Sequence, residues 1–114
     1  MRILCVDDDG LVLAVTADLL RALGHEVIEA TGGHSAAQTI NQFSTFDMLV
    51  TDIHMPGGPD GLELADLARR TQPGLPVVYF SGLDHVVPPG ARDPVLRKPC
   101  SLGELEQAIE AAVH

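Results

Sequence analysis

Short apolar runs alternate along the chain with segments whose apolar residues recur at helical spacing. The first run, ILCV at 3–6, is wholly apolar, which is typical of a strand that is buried on both faces. The predicted strands are 3–6, 25–30, 47–51, 76–80 and 95–97, and the predicted helices are 11–23, 35–43, 61–70 and 102–113. This alternation predicts a doubly wound α/β fold, close to (βα)5, with a five-stranded parallel sheet and helices on both faces.

Local signals mark where several of these helices begin and end. Two capping-box patterns, Asp60 with Glu63 and Ser101 with Glu104, predict the starts of the third and last helices. Gly24 is a stop signal for the first helix. The apolar residues that share a helical spacing in the first helix are Val12, Val15, Leu19 and Leu23, and those in the last helix are Leu102, Leu105, Ile109 and Val113.

The segment 82–94 interrupts the alternation. It contains three prolines, Pro88, Pro89 and Pro94, and a proline inside a helix costs about 3 kcal/mol. We therefore expect a shortened or loop-like fourth helix between the last two strands.

Length and charge restrict the organisation and the partners. A chain of 114 residues has the size of one domain, and we expect a single domain over 1–114 without an effector domain. The formal net charge is −9, so the surface repels nucleic-acid backbones and anionic lipid. Few aromatic residues and no tryptophan also argue against a surface that stacks on bases. We expect neither nucleic-acid binding nor membrane binding.

The two cysteines and the lack of a targeting segment indicate the compartment. Cys5 lies in an apolar strand and Cys100 follows a Lys-Pro pair, so neither has metal-ligand spacing or belongs to a disulfide framework. No apolar run approaches the roughly 20 residues of a membrane span. These features favour a reducing, cytoplasmic location.

Polar side chains gather where the predicted strands end. Strand 3–6 is followed by Asp7, Asp8 and Asp9; the later strand ends carry Asp52, Ser81 and Lys98. In a parallel sheet ligands bind beyond the carboxyl ends of the strands, so we expect these side chains to meet at one edge. Lys98 is the only lysine in the chain, which makes its place at a strand end informative.

This set of side chains suits a magnesium-dependent phosphoryl transfer. Crowded carboxylates repel one another, and Mg²⁺ suits two or three carboxyl oxygens with a backbone carbonyl and waters. A carboxylate beside Mg²⁺, a lysine and a hydroxyl can attack phosphorus and form an acyl phosphate. Asp52 is the best nucleophile, because it ends a central strand and has no adjacent carboxylate.

The ordered motifs ILCVDDDG, MLVTDIHMPG, VVYFSG and VLRKP resemble the receiver domain of bacterial two-component response regulators, which has a flavodoxin-like fold. The resemblance implies that Asp52 is the phosphoacceptor and that Asp7, Asp8, Asp52 and the backbone carbonyl of His54 hold Mg²⁺. It implies that Ser81 and Lys98 bind the phosphoryl group. The implied partner is a sensor histidine kinase or a histidine phosphotransfer protein, and the domain is expected to be a monomer or weak dimer.

Three departures from the usual receiver pattern narrow the resemblance. Val95 stands where the family usually has Phe or Tyr, the span from Ser81 to Lys98 is short, and the loop MPGGPDG has an apparent extra residue before Gly61. Together with YFSG, these features resemble the FAT GUY receiver subgroup. They imply a switch that does not depend on a rotating aromatic ring.

Two other interpretations of the motifs are open. A degenerate receiver would bind a partner without being phosphorylated. The run from Asp7 to Gly10 also resembles the start of haloacid-dehalogenase-type phosphohydrolases, in which Asp7 would be the nucleophile; Leu11 departs from that family and Asp52 is left without a role. In each of these interpretations, Asp9 can serve simply as the N-cap of the first helix.

The resemblance to receivers also bears on enzymatic activity. A receiver catalyses only its own phosphorylation and dephosphorylation, so we do not expect this chain to be an enzyme.

Overall fold

The computed structural model describes residues 1–42, 45–82 and 93–113, which contain five strands and four helices. The strands are β1 (Arg2–Asp7), β2 (Glu26–Thr31), β3 (Met48–Asp52), β4 (Val77–Ser81) and β5 (Val95–Arg97). The helices are α1 (Gly10–Ala22), α2 (Gly33–Gln42), α3 (Gly61–Thr71) and α4 (Leu102–Val113). Strands and helices alternate as far as β4, and β5 is the next element of the described residues. Phe43, predicted as the last residue of the second helix, and nearly all of the predicted fourth-helix segment lie outside the described residues.

The strands form one parallel sheet in the order β2-β1-β3-β4-β5. The predicted doubly wound α/β fold is thus confirmed, with β3 at the centre. Both β3 and β4 are buried along their whole lengths, whereas β2 is partly exposed at one edge. The complete burial of these two strands is typical of central strands that are covered on both faces of a parallel sheet.

Within the described residues, two helices pack on each face of the sheet. Leu4 and Val6 of β1 pack with residues of α2 and α3, while Ile3 and Cys5 pack with residues of α1 and α4. Successive strand residues point to opposite faces, so the short run at the start of the chain supplies both halves of the core. Cys5 is buried, as predicted.

The buried face of α1 differs from the apolar spacing in the sequence. The structure buries Leu13, Thr16, Ala17 and Leu20. Val15, by contrast, is 53% exposed. Because α1 carries apolar residues around most of its circumference, helical spacing alone does not fix which side meets the sheet. In α4 the interior members of the predicted apolar face, Leu105 and Ile109, are buried.

The predicted helix starts are confirmed by reciprocal hydrogen bonds. The Glu63 N–H donates to Asp60, and the Asp60 N–H donates to the Glu63 carboxylate. Ser101 and Glu104 exchange the same pair of bonds. The longest helix has 13 residues, and no helix among the described residues is long and apolar enough to cross a membrane.

Candidate functional site

The carboxyl ends of the inner strands bring together the polar residues that the sequence singled out. Asp7 ends β1, Asp52 ends β3 and Ser81 ends β4, and all three are buried. Lys98 follows β5, where its N–H donates to the carbonyl of Ser81 at 3.1 Å. The predicted meeting of these residues at one sheet edge is confirmed by their positions.

Lys98 links two of the carboxylates. Its Nζ lies 2.6 Å from Oδ2 of Asp7 and 3.2 Å from Oδ2 of Asp52. The other carboxylate oxygen of Asp7 accepts the N–H of Asp9 at 2.9 Å. Asp7 is therefore oriented by one backbone and one side-chain donor, and the lysine lies directly beside the predicted nucleophile.

Three carboxylates form a compact acidic cluster. Asp7, Asp8 and Asp52 each offer an oxygen, and these oxygens lie within 4.8 Å of one another. Asp8 is exposed, while the other two are buried. An oxygen-only donor set of this size, open to solvent on one side, fits a hard divalent cation such as Mg²⁺ that keeps several waters. His54 lies two residues beyond Asp52 with an exposed side chain.

Burial and charge shift two ionisation equilibria in the site. Burial raises the pKa of Asp52, Lys98 opposes this rise, and the charges of Asp7 and Asp8 add to it. Burial would lower the pKa of Lys98, but its hydrogen bond to Asp7 and the charges of both neighbouring carboxylates raise it above the ordinary value. Lys98 is thus held in its charged form.

Asp9 serves the helix rather than the acidic cluster. Its side chain accepts the N–H groups of Leu11 and Val12 at 3.0 and 3.2 Å, which makes it the N-cap of α1. This is the role that the sequence left open for one of the three consecutive aspartates.

Two residues that were not predicted to belong to the site contact the backbone of Asp52. The hydroxyl of Thr51 donates to the Asp52 carbonyl at 2.9 Å. Gly61, the first residue of α3, packs directly against the same carbonyl. The capping box before α3 marks where that helix starts, but no sequence signal shows that its first residue touches β3.

An apolar groove of about 360 Å³ lies beside the site. Its lining residues come from α1, β4 and the segment after β5, and they are Leu11, Val12, Val15, Thr16, Leu19, Phe80, Lys98, Pro99 and Cys100. Leu11 is 77% exposed. Lys98 therefore contacts the acidic cluster and also lines this groove.

Comparison with models of protein families identifies the family to which the chain belongs. Residues 3–110 match the model of the response regulator receiver domain. The chain belongs to the response regulator receiver family. The receiver match includes Asp52, which the phosphohydrolase interpretation leaves without a role.

Individual receivers resemble the chain over most of its length. The response regulator receiver protein CpdR of Brucella abortus is 33% identical over 116 residues, which cover 96% of this chain and 93% of that protein. The chain spans only 13%, 11% and 56% of three longer curated relatives. Receivers of this kind therefore occur both nearly alone and within larger proteins.

Solved structures share the fold. The receiver domain of the hybrid histidine kinase CckA has a TM-score of 0.80 at 35% identity, with both chains covered completely (100%). The response regulator TrrA of Thermotoga maritima, in complex with Mg²⁺ and BeF, has a TM-score of 0.82 at 26% identity and 96% coverage of each chain. Neither comparison addresses the FAT GUY subgroup, which stays a prediction.

Proposed function

We propose that this receiver accepts a phosphoryl group on Asp52 from the phosphohistidine of a sensor histidine kinase or a histidine phosphotransfer protein. It then acts as a signalling switch or as a phosphoryl sink. The observation that carries the proposal is the position of Lys98, whose ammonium group contacts both Asp7 and Asp52 at the edge of the central strands. Membership of a family that includes receivers of histidine kinases, such as that of CckA, supports the same partner.

The reaction makes one bond to phosphorus and breaks another. A carboxylate oxygen of Asp52 attacks the phosphorus, and the new O–P bond forms as the P–N bond to the donor histidine breaks. The imidazole leaves with the electron pair of that bond and takes up a proton from solvent. Asp52 must be ionised for this step, and the Lys98 ammonium at 3.2 Å favours its charged form.

The neighbouring residues have separate tasks in this scheme. Asp7, Asp8 and Asp52 would hold Mg²⁺, with the His54 backbone carbonyl as a further ligand. The metal would neutralise charge on the phosphoryl oxygens. Lys98 pairs with a phosphoryl oxygen, and the Ser81 hydroxyl donates to another. The structure of TrrA in complex with Mg²⁺ and BeF supports a metal site in a similar fold.

The groove beside the site suits the donor protein. Its exposed apolar side chains on α1 lead directly to Lys98, so an apolar surface seated there would bring an adjacent phosphohistidine to Asp52. Burial of apolar area supplies affinity without changing the chemistry of the acidic cluster. Cys5 and Cys100 are both free thiols, which agrees with a cytoplasmic domain.

The test compares labelling of the wild type and Asp52→Asn, with radioactive phosphate donated by acetyl phosphate in Mg²⁺. We expect incorporation in the wild type and none in Asp52→Asn, because the amide lacks the nucleophilic charge but keeps the shape. Asp18→Asn is the matched control, since it makes the same change on an exposed carboxylate of α1. Unlabelled wild-type protein would favour a degenerate receiver, and labelling of Asp52→Asn would move the acceptor elsewhere.

A further inference from the structure

The backbone of Asp52 is held by groups that have no part in the chemistry. Thr51 is fully buried, and its hydroxyl donates to the carbonyl of Asp52 at 2.9 Å. A buried carbonyl oxygen requires a donor, and loss of that donor leaves it unsatisfied. The hydroxyl of Thr51 therefore fixes the peptide plane from which the Asp52 side chain extends.

Gly61 packs against the same peptide group. A Cβ placed on Gly61 would overlap the Asp52 carbonyl oxygen and would lie 3.0 Å from both the carbonyl carbon and the Cα of Ile53. The Gly61 N–H also donates to the Ile53 carbonyl at 3.0 Å. Since these neighbours are backbone atoms, a larger residue can be accommodated only if α3 or the end of β3 moves.

Neither element is free to move independently. The capping box between Asp60 and Glu63 fixes the start of α3, and the Ile53 N–H donates to the Phe80 carbonyl of β4 at 3.0 Å. The position of the Asp52 carboxylate relative to Lys98 is therefore set by close backbone packing around the end of β3.

We propose that Thr51 and Gly61 are positioning residues that hold the Asp52 carboxylate in line with the incoming phosphorus. This inference rests on the proposed phosphorylation of Asp52. Displacement of a reacting group by about 1 Å can reduce a rate about 100-fold. We expect Gly61→Ala to lower the maximal rate of phosphorylation at least tenfold, and Thr51→Val to lower it several-fold.

The experiment measures the rate of labelling by acetyl phosphate as a function of Mg²⁺ concentration. Each variant is assayed well below its own unfolding transition, so that the plateau gives the rate per folded, metal-saturated molecule. Thr51→Ser, which restores a hydroxyl, should recover most of the rate lost in Thr51→Val. Gly103→Ala is the matched control, because a Cβ there meets only the Ser101 hydroxyl oxygen at 4.0 Å.

The outcomes separate positioning from general stability. Lower melting temperatures with wild-type plateau rates would show a structural role and overturn the inference. If Gly61→Ala does not fold, the Thr51→Val and Thr51→Ser pair decides. If the wild type is not labelled, the proposed function fails. The Mg²⁺ dissociation constants of the variants and the wild type then test the positioning of Asp52. Displacement of its carboxylate should weaken Mg²⁺ binding several-fold, and unchanged constants would refute the inference.

Discussion

The ammonium group of Lys98 lies between the carboxylates of Asp7 and Asp52, 2.6 Å from one and 3.2 Å from the other. The lysine side chain is 21% exposed and the two carboxylates are nearly buried. Among the described residues, Lys98 is the cationic side chain paired with this cluster of carboxylates. Its ion pairs offset the repulsion between the two carboxylates.

Replacement of Lys98 by Met should destabilise the metal-free domain. Loss of the cation removes the ion-pair partner that two buried carboxylates share, and we expect a cost of about 1–3 kcal/mol, between that of an exposed and that of a buried pair. Saturating Mg²⁺ should restore part of this stability. Denaturant unfolding with and without Mg²⁺ measures both effects. Arg70→Met removes the same charge from an exposed site on α3 and should change stability little; an equal loss in both variants would contradict the pairing.

The sequence was sufficient to predict which residues share the site. Asp7, Asp52 and Ser81 end three different strands and Lys98 follows a fourth, and parallel pairing brings the ends of such strands to one edge regardless of side-chain detail. The alternation of apolar runs and helical patterns was thus enough to predict both the fold class and the sheet edge at which the site lies.

The packing of individual surfaces was not predictable in the same way. Helix α1 has apolar residues on several sides, and the smaller Thr16 and Ala17 face the sheet while Leu11 and Val15 face solvent. Which side is buried depends on the fit of side chains to the strands beneath, which is a tertiary property. The contact between Gly61 and Asp52 was missed for the same reason.

Magnesium should stabilise the domain through the acidic cluster. Binding to the folded state contributes about 2.7 kcal/mol when Mg²⁺ is present at 100 times its dissociation constant, so the melting temperature should rise by several degrees. Asp8→Asn removes one ligand and should abolish most of the rise. Asp18→Asn, on an exposed carboxylate, should leave it intact. A melting temperature that does not respond to millimolar Mg²⁺ in the wild type would refute the metal site.

Alkaline pH should weaken the fold through Tyr79. Burial, reinforced by the charge of Asp93, raises the pKa of Tyr79 from 10.0 to about 12. The pKa of Tyr79 is higher in the folded protein than in the unfolded chain, so the unfolded chain loses this proton first as the pH rises. The free energy of unfolding should therefore keep its full value below about pH 10 and fall by an amount on the order of 2 kcal/mol as the pH rises towards 12.

The absorbance of tyrosinate follows this titration directly, because Tyr79 is the only tyrosine and the chain has no tryptophan. Lys98 also has a raised pKa, so the comparison with Tyr79→Phe isolates the tyrosine contribution to the pH dependence of unfolding. Ionisation of Tyr79 near pH 10 in the folded protein would contradict its burial.

The two cysteines should differ in reactivity. Burial raises the pKa of Cys5 to about 12, while Cys100 is half-buried and lines the groove. Since the thiolate is the reactive form and needs access, a disulfide reagent should modify one thiol in the native protein and two after unfolding. Cys100→Ser should remove the native reaction; rapid modification of Cys5 in that variant would show that the core opens readily.

The groove should be needed for transfer from the kinase but not for the chemistry at Asp52. Val15 is 53% exposed and lines the groove, so Val15→Asn removes apolar contact area with little effect on folding. We expect kcat/KM for transfer from a phosphorylated histidine kinase to fall about tenfold, equivalent to about 1.4 kcal/mol of lost contact. Labelling by acetyl phosphate, which needs no docking surface, should be unchanged.

Ala14→Asn is the matched control, because it makes the same replacement on an exposed position of α1 that does not line the groove. This variant should accept the phosphoryl group from the kinase at the wild-type rate. Bound kinase should also protect Cys100 from the thiol reagent; an unprotected Cys100 together with normal transfer in Val15→Asn would place the kinase on another surface.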